Sequence, residues 1–363
     1  MPLYTLLHRI FYPHDRASGI TILHGLLWLP AQLFKIAGHL RNYSYTKGWR
    51  VKQRLPVRVI SVGGLTVGGA GKTPVVRYLA EFLSDAGQRV VVLSRGYGRR
   101  NKGVVVASDD GAECLPWDSV GDEPYLLAST LQGVPVVVGA DRIESGQLAI
   151  RQFEPDILIL DDGFQHRRLS RDLDIVVLDA ASPAERMIPA GPLREPWSAL
   201  RRADLIVLTR VDQAETLDTL VGRIRRFNPE TQIVETTYRP AGLRHLLGGR
   251  TFPLDYISDC RVVTLAGIAN PISFEQTVRQ LGAEVTQMQR YRDHHVFQNE
   301  EIELACEAAS RTQAEWIVTT EKDAIRIPES SDRTRILALD IELDVVRGGE
   351  VLESIVSNVA SSP

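Results

Sequence analysis

One glycine-rich run, Ser61-Val-Gly-Gly-Leu-Thr-Val-Gly-Gly-Ala-Gly-Lys-Thr73, constrains this 363-residue chain more than any other feature. It follows the apolar stretch Val57–Val62 and leads into a helical stretch beginning near Pro74. A strand that turns on glycines into a helix N-terminus makes an anion cradle. Its backbone N–H groups point inward, glycine omits the Cβ that would block them, and the helix end adds positive potential. The pattern predicts a phosphate-binding loop built from Thr66, Val67, Gly68, Gly69, Ala70, Gly71, Lys72 and Thr73. Lys72 is expected to reach the β- and γ-phosphates, and Thr73 to offer its hydroxyl to Mg²⁺. Thr66 departs from the usual pattern, which has glycine at that position. The competing reading is a glycine-rich turn of some other α/β protein.

A second element agrees with a nucleotide site. Asp156-Ile-Leu-Ile-Leu-Asp161-Asp162 is an apolar strand ending in two carboxylates, either of which can hold Mg²⁺ beside such a loop; a plain polar turn is the alternative. Further strand-like runs are Arg89–Ser94, Val134–Val138, Asp174–Leu178 and Leu205–Thr209, with helical stretches at Pro74–Ala86, Pro124–Leu131 and Asp141–Phe153. Uninterrupted Val/Ile/Leu strands alternating with helices predict a parallel sheet covered on both faces. A smaller repeat of the theme follows, with strands at Val262–Ala266 and Trp316–Thr320 and helices at Ser273–Leu281 and Glu300–Arg311. The β-rich segments Gln232–Tyr238 and Ile336–Leu343 flank it and are expected to pair as a two-stranded linker. The organisation is thus an N-terminal region 1–55, a P-loop domain 56–230, linker strands with a smaller α/β domain 231–345, and a tail 346–363. A nucleotide is then expected between two bodies that close on it.

Charge is unevenly spread. Residues 1–58 hold nine basic side chains, from Arg9 and Arg16 to Arg58, against the single acid Asp15, while the whole chain is net −3. Such an arm favours an anionic surface. Within it Ile20, Leu23, Leu26, Leu27, Phe34, Ala37 and Leu40 recur at helical spacing, with Trp28, Leu33, Tyr43, Tyr45 and Trp49 nearby and Pro30 expected to kink or split the helix. His24 and Gln32 interrupt the apolar stretch, which falls short of a span of about 20 apolar residues. The reading is an amphipathic helix lying in a membrane interface. Packing on the protein's own core and a nucleic-acid arm are the alternatives. Cys114, Cys260 and Cys306 are scattered and form no CxxC pair, which argues against a zinc site or a disulfide scaffold.

P-loop proteins run many reactions, so the discriminating segments lie elsewhere. Ser94-Arg-Gly-Tyr-Gly98, Gly121-Asp-Glu-Pro124, Asp161-Asp-Gly-Phe-Gln-His166, Gly191-Pro-Leu-Arg-Glu-Pro196, Gly267-Ile-Ala-Asn-Pro271, Asp293-His-His295 and Thr320-Glu-Lys-Asp323 follow the phosphate loop in that order. As an ordered set, running to about residue 325, they resemble the tetraacyldisaccharide 4′-kinase family of lipid A biosynthesis. One position departs, since Gly64 stands where the family pattern has Asn. The resemblance implies Mg²⁺-dependent transfer of the ATP γ-phosphate to the 4′-hydroxyl of a tetraacylated glucosamine disaccharide 1-phosphate. It also implies work at the cytoplasmic face of a Gram-negative inner membrane, with neither nucleic acid nor an obligate protein partner.

A sugar hydroxyl attacking phosphorus loses its proton, so a nearby carboxylate is expected. Asp122 is the candidate base, a role the resemblance also implies; as a residue preceding Pro124 at a helix start it is alternatively an N-cap. His294 is expected to orient it from the second domain, so that the pair assembles on closure. His295 is as good by spacing, and the resemblance favours His294. Arg194 is expected at the transferred phosphoryl group and Glu195 at the metal or nucleotide, or the two form an ordinary surface pair. Arg95 has room for a substrate phosphate, and His166 either meets phosphate or ties down its own loop. The rival is a GTPase or metal-delivery protein, because Thr209-Arg-Val-Asp212 loosely matches a guanine-reading Asn-Lys-x-Asp. The leading Asn is absent, and so are the Cys or His clusters of metal carriers.

Overall fold

The computed structural model describes residues 18–100, 102–109, 114–268 and 270–361. Arg9, Asp15 and Arg16 of the basic arm lie outside these residues, as do Ala269 and the last two positions of the tail. The strands in chain order are β1 (Arg58–Gly64), β2 (Val90–Ser94), β3 (Val105–Ser108), β4 (Val136–Val138), β5 (Ile157–Asp161), β6 (Leu173–Asp179) and β7 (Leu205–Thr209). They continue as β8 (Gln232–His245), β9 (Thr251–Phe252), β10 (Arg261–Ala266), β11 (Glu284–Arg290), β12 (Trp316–Thr320) and β13 (Ile336–Arg347).

Two compact units emerge, and neither is continuous in sequence. The first comprises residues up to Arg95, Gly133–Thr237 and Val345 onward; the second comprises Gly96–Gln132 and Tyr238–Asp344. In the first, the strands run in the order β8-β7-β6-β1-β5-β2-β4, and each neighbouring pair is parallel. β1 lies inside the sheet, and its Val59, Ile60, Ser61 and Val62, which point alternately to the two faces, are all buried, as are Ile157–Leu160 of β5 and Ile175–Val177 of β6. Burying a side chain of that size contributes about 1.5–3 kcal/mol, so β1 and its neighbours dominate this unit's stability. Helix Lys72–Asp85 covers the sheet through Val75, Val76, Leu79 and Leu83. In the second unit β11-β10-β12-β13 is again parallel, and β9 adds antiparallel to the end of β8.

Several expectations need correction. Of the kink or split expected at Pro30, the split does not occur, since the helix Ser18–Thr46 runs through it. Pro30 is solvent-exposed, so water can satisfy the carbonyl that proline leaves without a donor. Residues 96–132 group with the second unit although they read as part of the 56–230 block, because helix Asp122–Thr130 packs on helix Glu321–Ala324 there. The presumed tail contains helix Gly349–Ser361, which buries Leu352 and Val356; the Tyr78 hydroxyl donates to its Glu353 at 3.2 Å. The expected strands all occur, with bounds shifted by up to two residues at most ends. β8 and β13 extend past their predicted C-terminal ends, are hydrogen-bonded neighbours, and carry the chain from one unit to the other.

Candidate active site

In the first unit the glycine-rich segment makes the strand–turn–helix junction expected of it. After β1 the chain turns through Gly68, Gly69 and Gly71 at φ 67°, 70° and 77°, a region where a Cβ would be strained. Gly71 is the residue from which helix Lys72–Asp85 starts. Gly71 has no side chain with which to cap this helix, and a helix N-terminus at the end of the loop favours an anion there. Thr66 and Val67 take their shape from outside the loop. Thr66 bridges antiparallel to Leu193, and Val67 N–H donates to Pro192 O at 2.8 Å. Arg194 N–H donates to Leu65 O at 2.7 Å. The Gly191–Pro196 segment is therefore clamped along the loop, which is how Arg194 comes to the site.

Lys72 is buried, with Nζ 3.4 Å from Asp162 Oδ1, while Arg194 Nη1 donates to Asp162 Oδ2 at 2.6 Å. Burial raises the Asp162 carboxyl, but Lys72 and Arg194 outweigh it and hold the group below its ordinary range. Asp162 itself sits at φ 54°. Its neighbour Asp161 is buried and accepts from Ser94 Oγ at 2.9 Å. Thr73 is buried at the first turn of the loop helix. The left-handed glycines, the buried ammonium and the carboxylates together fit a nucleotide triphosphate with Mg²⁺. At Gly64 a Cβ would lie 3.1 Å from Val177 O and 3.8 Å from Lys72 Cδ, so glycine keeps space beside the lysine stem.

Glu195 is placed differently from Arg194. It is buried and held bidentate by Arg202, at 2.9 and 3.2 Å, and Asn42 Nδ2 donates to it at 2.6 Å. Arg202 also stacks 4.2 Å over the Phe164 ring. His166 is half-buried, and burial followed by Arg142 pushes it down to about 4, so it is neutral near pH 7. Arg95 is solvent-exposed at the end of the first unit. Thr209 Oγ1 donates to Ala70 O at 3.0 Å and Arg210 Nη2 to Gly69 O at 2.8 Å. The segment that loosely matched a guanine reader thus braces the phosphate loop, with Arg210 also paired to Asp179.

The second unit holds the proposed base. Helix Asp122–Thr130 begins at Asp122, and its N-cap position belongs to Gly121, so Asp122 is not the cap. Gly121 is at φ 97°, and a Cβ there would approach Tyr97 O to 3.0 Å. Asp122 Oδ2 lies 3.2 Å from His294 Nδ1 and accepts from Arg326 Nε at 2.8 Å. Burial raises the Asp122 carboxyl, but the His294 hydrogen bond and the Arg326 charge more than reverse this and keep it low. The same hydrogen bond raises His294 against an opposing effect of burial. Asp122 and His294 already meet within one unit, which corrects the expectation that they assemble on closure; the reason is that 96–132 belongs with 238–344. His295 instead contacts Glu301 at 2.7 Å and stacks on Tyr291.

Arg326 escaped the sequence reading. Its only signal was a position three residues past Asp323, whose carboxylate it also meets, at 3.4 Å. Asn42 and Arg202, which meet Glu195 from 153 and 7 positions away, had no role in the sequence reading, and Thr209 and Arg210 had only that of a loose guanine-reading match.

A glycine cradle at a strand–helix junction, a buried lysine facing a strand-end carboxylate, and a separate carboxylate–histidine pair define a P-loop phosphotransferase. The tetraacyldisaccharide-1-P 4′-kinase family model matches residues 23–360. Tetraacyldisaccharide 4′-kinase of Anaeromyxobacter sp. (strain K) is 41% identical over 350 residues, covering 94% of this chain and 92% of the relative. The enzyme of the same description from Aquifex aeolicus (strain VF5) is 36% identical over 291 residues, covering 80% and 85%. The crystal structure of the "apo" form of LpxK from Aquifex aeolicus in complex with ATP superposes with a TM-score of 0.77 at 34% identity, covering 93% of this chain and 99% of that one. This chain belongs to the tetraacyldisaccharide-1-P 4′-kinase family.

Proposed function

We propose that the chain phosphorylates the 4′-hydroxyl of a tetraacylated glucosamine disaccharide 1-phosphate from ATP, a step in lipid A biosynthesis. The observation that carries the reading is the cluster of Lys72, Asp162 and Arg194 at the foot of the glycine loop. Lys72 and Arg194 are the cations that meet charge building on the transferred phosphoryl group. Thr73, Asp161 and Asp162 are the residues that would hold Mg²⁺, which when bound neutralises charge on the β- and γ-phosphoryl oxygens. The backbone of residues 66–73 cradles the phosphates. Glu195, saturated by Arg202 and Asn42, supports the loop that carries Arg194.

Asp122 serves as the general base. The hydroxyl O–H bond breaks with its proton passing to Asp122 while the oxygen bonds to phosphorus. The bond from γ-phosphorus to the bridging oxygen breaks, and its electron pair leaves with ADP. His294 stabilises Asp122 in the anionic form that this step requires.

The Ser18–Thr46 helix is the membrane-facing element of this reading. Trp28 and Leu33 are about 60% exposed, and Leu29, Ile36 and Leu40 are exposed with them, whereas Ala31 and Leu27 pack on the core. Most of its described apolar side chains therefore have no protein to cover them, which favours an interfacial role at the inner membrane's cytoplasmic face over core packing. No helix among the described residues is long and apolar enough to cross a membrane.

The test is transfer of label from γ-labelled ATP to the tetraacyldisaccharide 1-phosphate in detergent, with Mg²⁺ present or chelated. Metal-dependent labelling of the 4′-position is expected. Hydrolysis of ATP with the lipid left unlabelled would reject the acceptor assignment.

A further inference from the structure

Arg326 is almost wholly buried, yet it is turned onto the two groups that handle the proton. Its Nε donates to Asp122 Oδ2 at 2.8 Å, across 204 positions of sequence, and its Nη2 lies 3.3 Å from His294 Nδ1. Its third nitrogen, Nη1, reaches Asp323 Oδ1 at 3.4 Å. Asp323 is fully buried and fixed from behind, accepting from Gly267 N–H at 2.9 Å and Thr320 Oγ1 at 2.8 Å. Gly267 also holds the other partner, because its carbonyl accepts from His294 N–H at 3.1 Å. One glycine thus anchors the histidine backbone and the carboxylate that orients the arginine. A Cβ there would sit 3.1 Å from Asp323 Oδ1 and 3.2 Å from His295 Cβ, so no larger residue fits without moving the assembly.

The atoms chosen have a consequence. His294 and Arg326 Nε both contact Oδ2 of Asp122, so neither occupies Oδ1. When His294 Nδ1 carries a proton, it and Arg326 Nε both donate to Oδ2. When Nδ1 is bare, Arg326 Nη2 is within reach to donate to its lone pair. In either arrangement Asp122 stays ionised and the imidazole keeps a partner.

We propose that Arg326 is a positioning residue for phosphoryl transfer: anchored by Asp323, it fixes Asp122 by Oδ2 so that Oδ1 meets the acceptor hydroxyl, and it supplies His294 Nδ1 with a donor whenever that nitrogen lacks its proton. The proposal rests on the reading of Asp122 as the base. The charged groups facing Asp122 are His294 and Arg326, with Asp293 beside His294 and Asp323 behind Arg326. A carboxylate that works as an anion gives activity above its pKa, lost as pH falls through it. Removing the neighbouring guanidinium raises that pKa and moves the acid limb to higher pH.

The experiment compares the full chain with R326Q, R326K, D122N and the D122N/R326Q double variant, following kcat against pH and the KM for ATP in the lipid-labelling assay. R326Q is expected to lower kcat about 10- to 100-fold, shift the acid limb upward and leave the ATP KM within about twofold. The double variant should be no slower than D122N, because Arg326 acts through Asp122. R326K keeps the charge but loses the fork, so it should keep the acid limb in place while kcat falls about tenfold. Equal loss from R326Q in the wild-type and D122N backgrounds would make Arg326 a merely structural residue and overturn the proposal. So would a rise in ATP KM at unchanged kcat, or wild-type kcat in R326K, the variant that decides if R326Q does not fold. Wild-type kcat in D122N alone marks a different failure, that of the base reading, and takes this proposal with it.

Discussion

Each unit contains an aspartate held between cations, and the two differ in what those cations can do. Asp162 lies between Lys72 and Arg194, whereas Asp122 lies between Arg326 and the imidazole of His294, a side chain that can be protonated or neutral. The first is a fixed charge array suited to phosphate and metal. The second can take up and release a proton, as a base must. Both carboxyls are held low, but only the second owes this partly to a hydrogen bond from an imidazole, whose own hold on a proton that bond raises. A carboxylate's role is therefore read from the kind of cation beside it as much as from the carboxylate.

Substitutions on the two sides sharpen that contrast. Lys72→Ala removes the buried ammonium from the fixed array and should take lipid phosphorylation below detection while circular dichroism and melting stay near wild type; appreciable turnover would remove the loop from the reaction. Asp122→Asn should lower kcat roughly 10²- to 10⁴-fold with little change in ATP binding, the range expected for a lost general base. An ATP KM that rose in step would instead assign Asp122 to binding. His294→Ala leaves Arg326 in place, so a smaller loss of about tenfold is expected, with the acid limb of kcat displaced upward as Asp122 loses its hydrogen bond. A loss confined to alkaline pH would contradict that sign.

Glu195→Gln should have the smallest effect on turnover. It leaves the half-buried Arg202 without its charge partner, a cost of about 1–3 kcal/mol in stability, and should change kcat less than about twofold with an unaltered Mg²⁺ requirement. A markedly raised Mg²⁺ requirement would restore Glu195 to the metal site that its neighbourhood in sequence favoured.

Legibility followed locality and burial. The strands β1, β5, β6 and β7 were readable because burial on both faces leaves unbroken Val/Ile/Leu runs. β11 was not, since Glu284-Val-Thr-Gln-Met-Gln-Arg290 is half-exposed at the end of its sheet and only Val285 is buried. Helix Leu217–Phe227 sets Leu217, Leu220, Val221, Ile224 and Phe227 on one face against the core, a helical spacing that was legible in the sequence though it was not read there.

The sequence by itself determined the phosphate loop, its lysine and its strand-end carboxylates, because that chemistry is built from neighbours along the chain and from backbone geometry that glycine spacing dictates. It also carried the ordered motifs that mark the family. The tertiary structure alone decided that 96–132 joins 238–344, that His294 rather than His295 faces Asp122, and that Arg326 lies behind them both. It likewise turned Glu195 toward Arg202 and Asn42. The physical reason is that, apart from Glu195 and Arg202, which are seven residues apart, these contacts join residues more than 150 positions apart. A charged side chain's partner is set by where the folded chain leaves a buried opposite charge, and no local spacing encodes that.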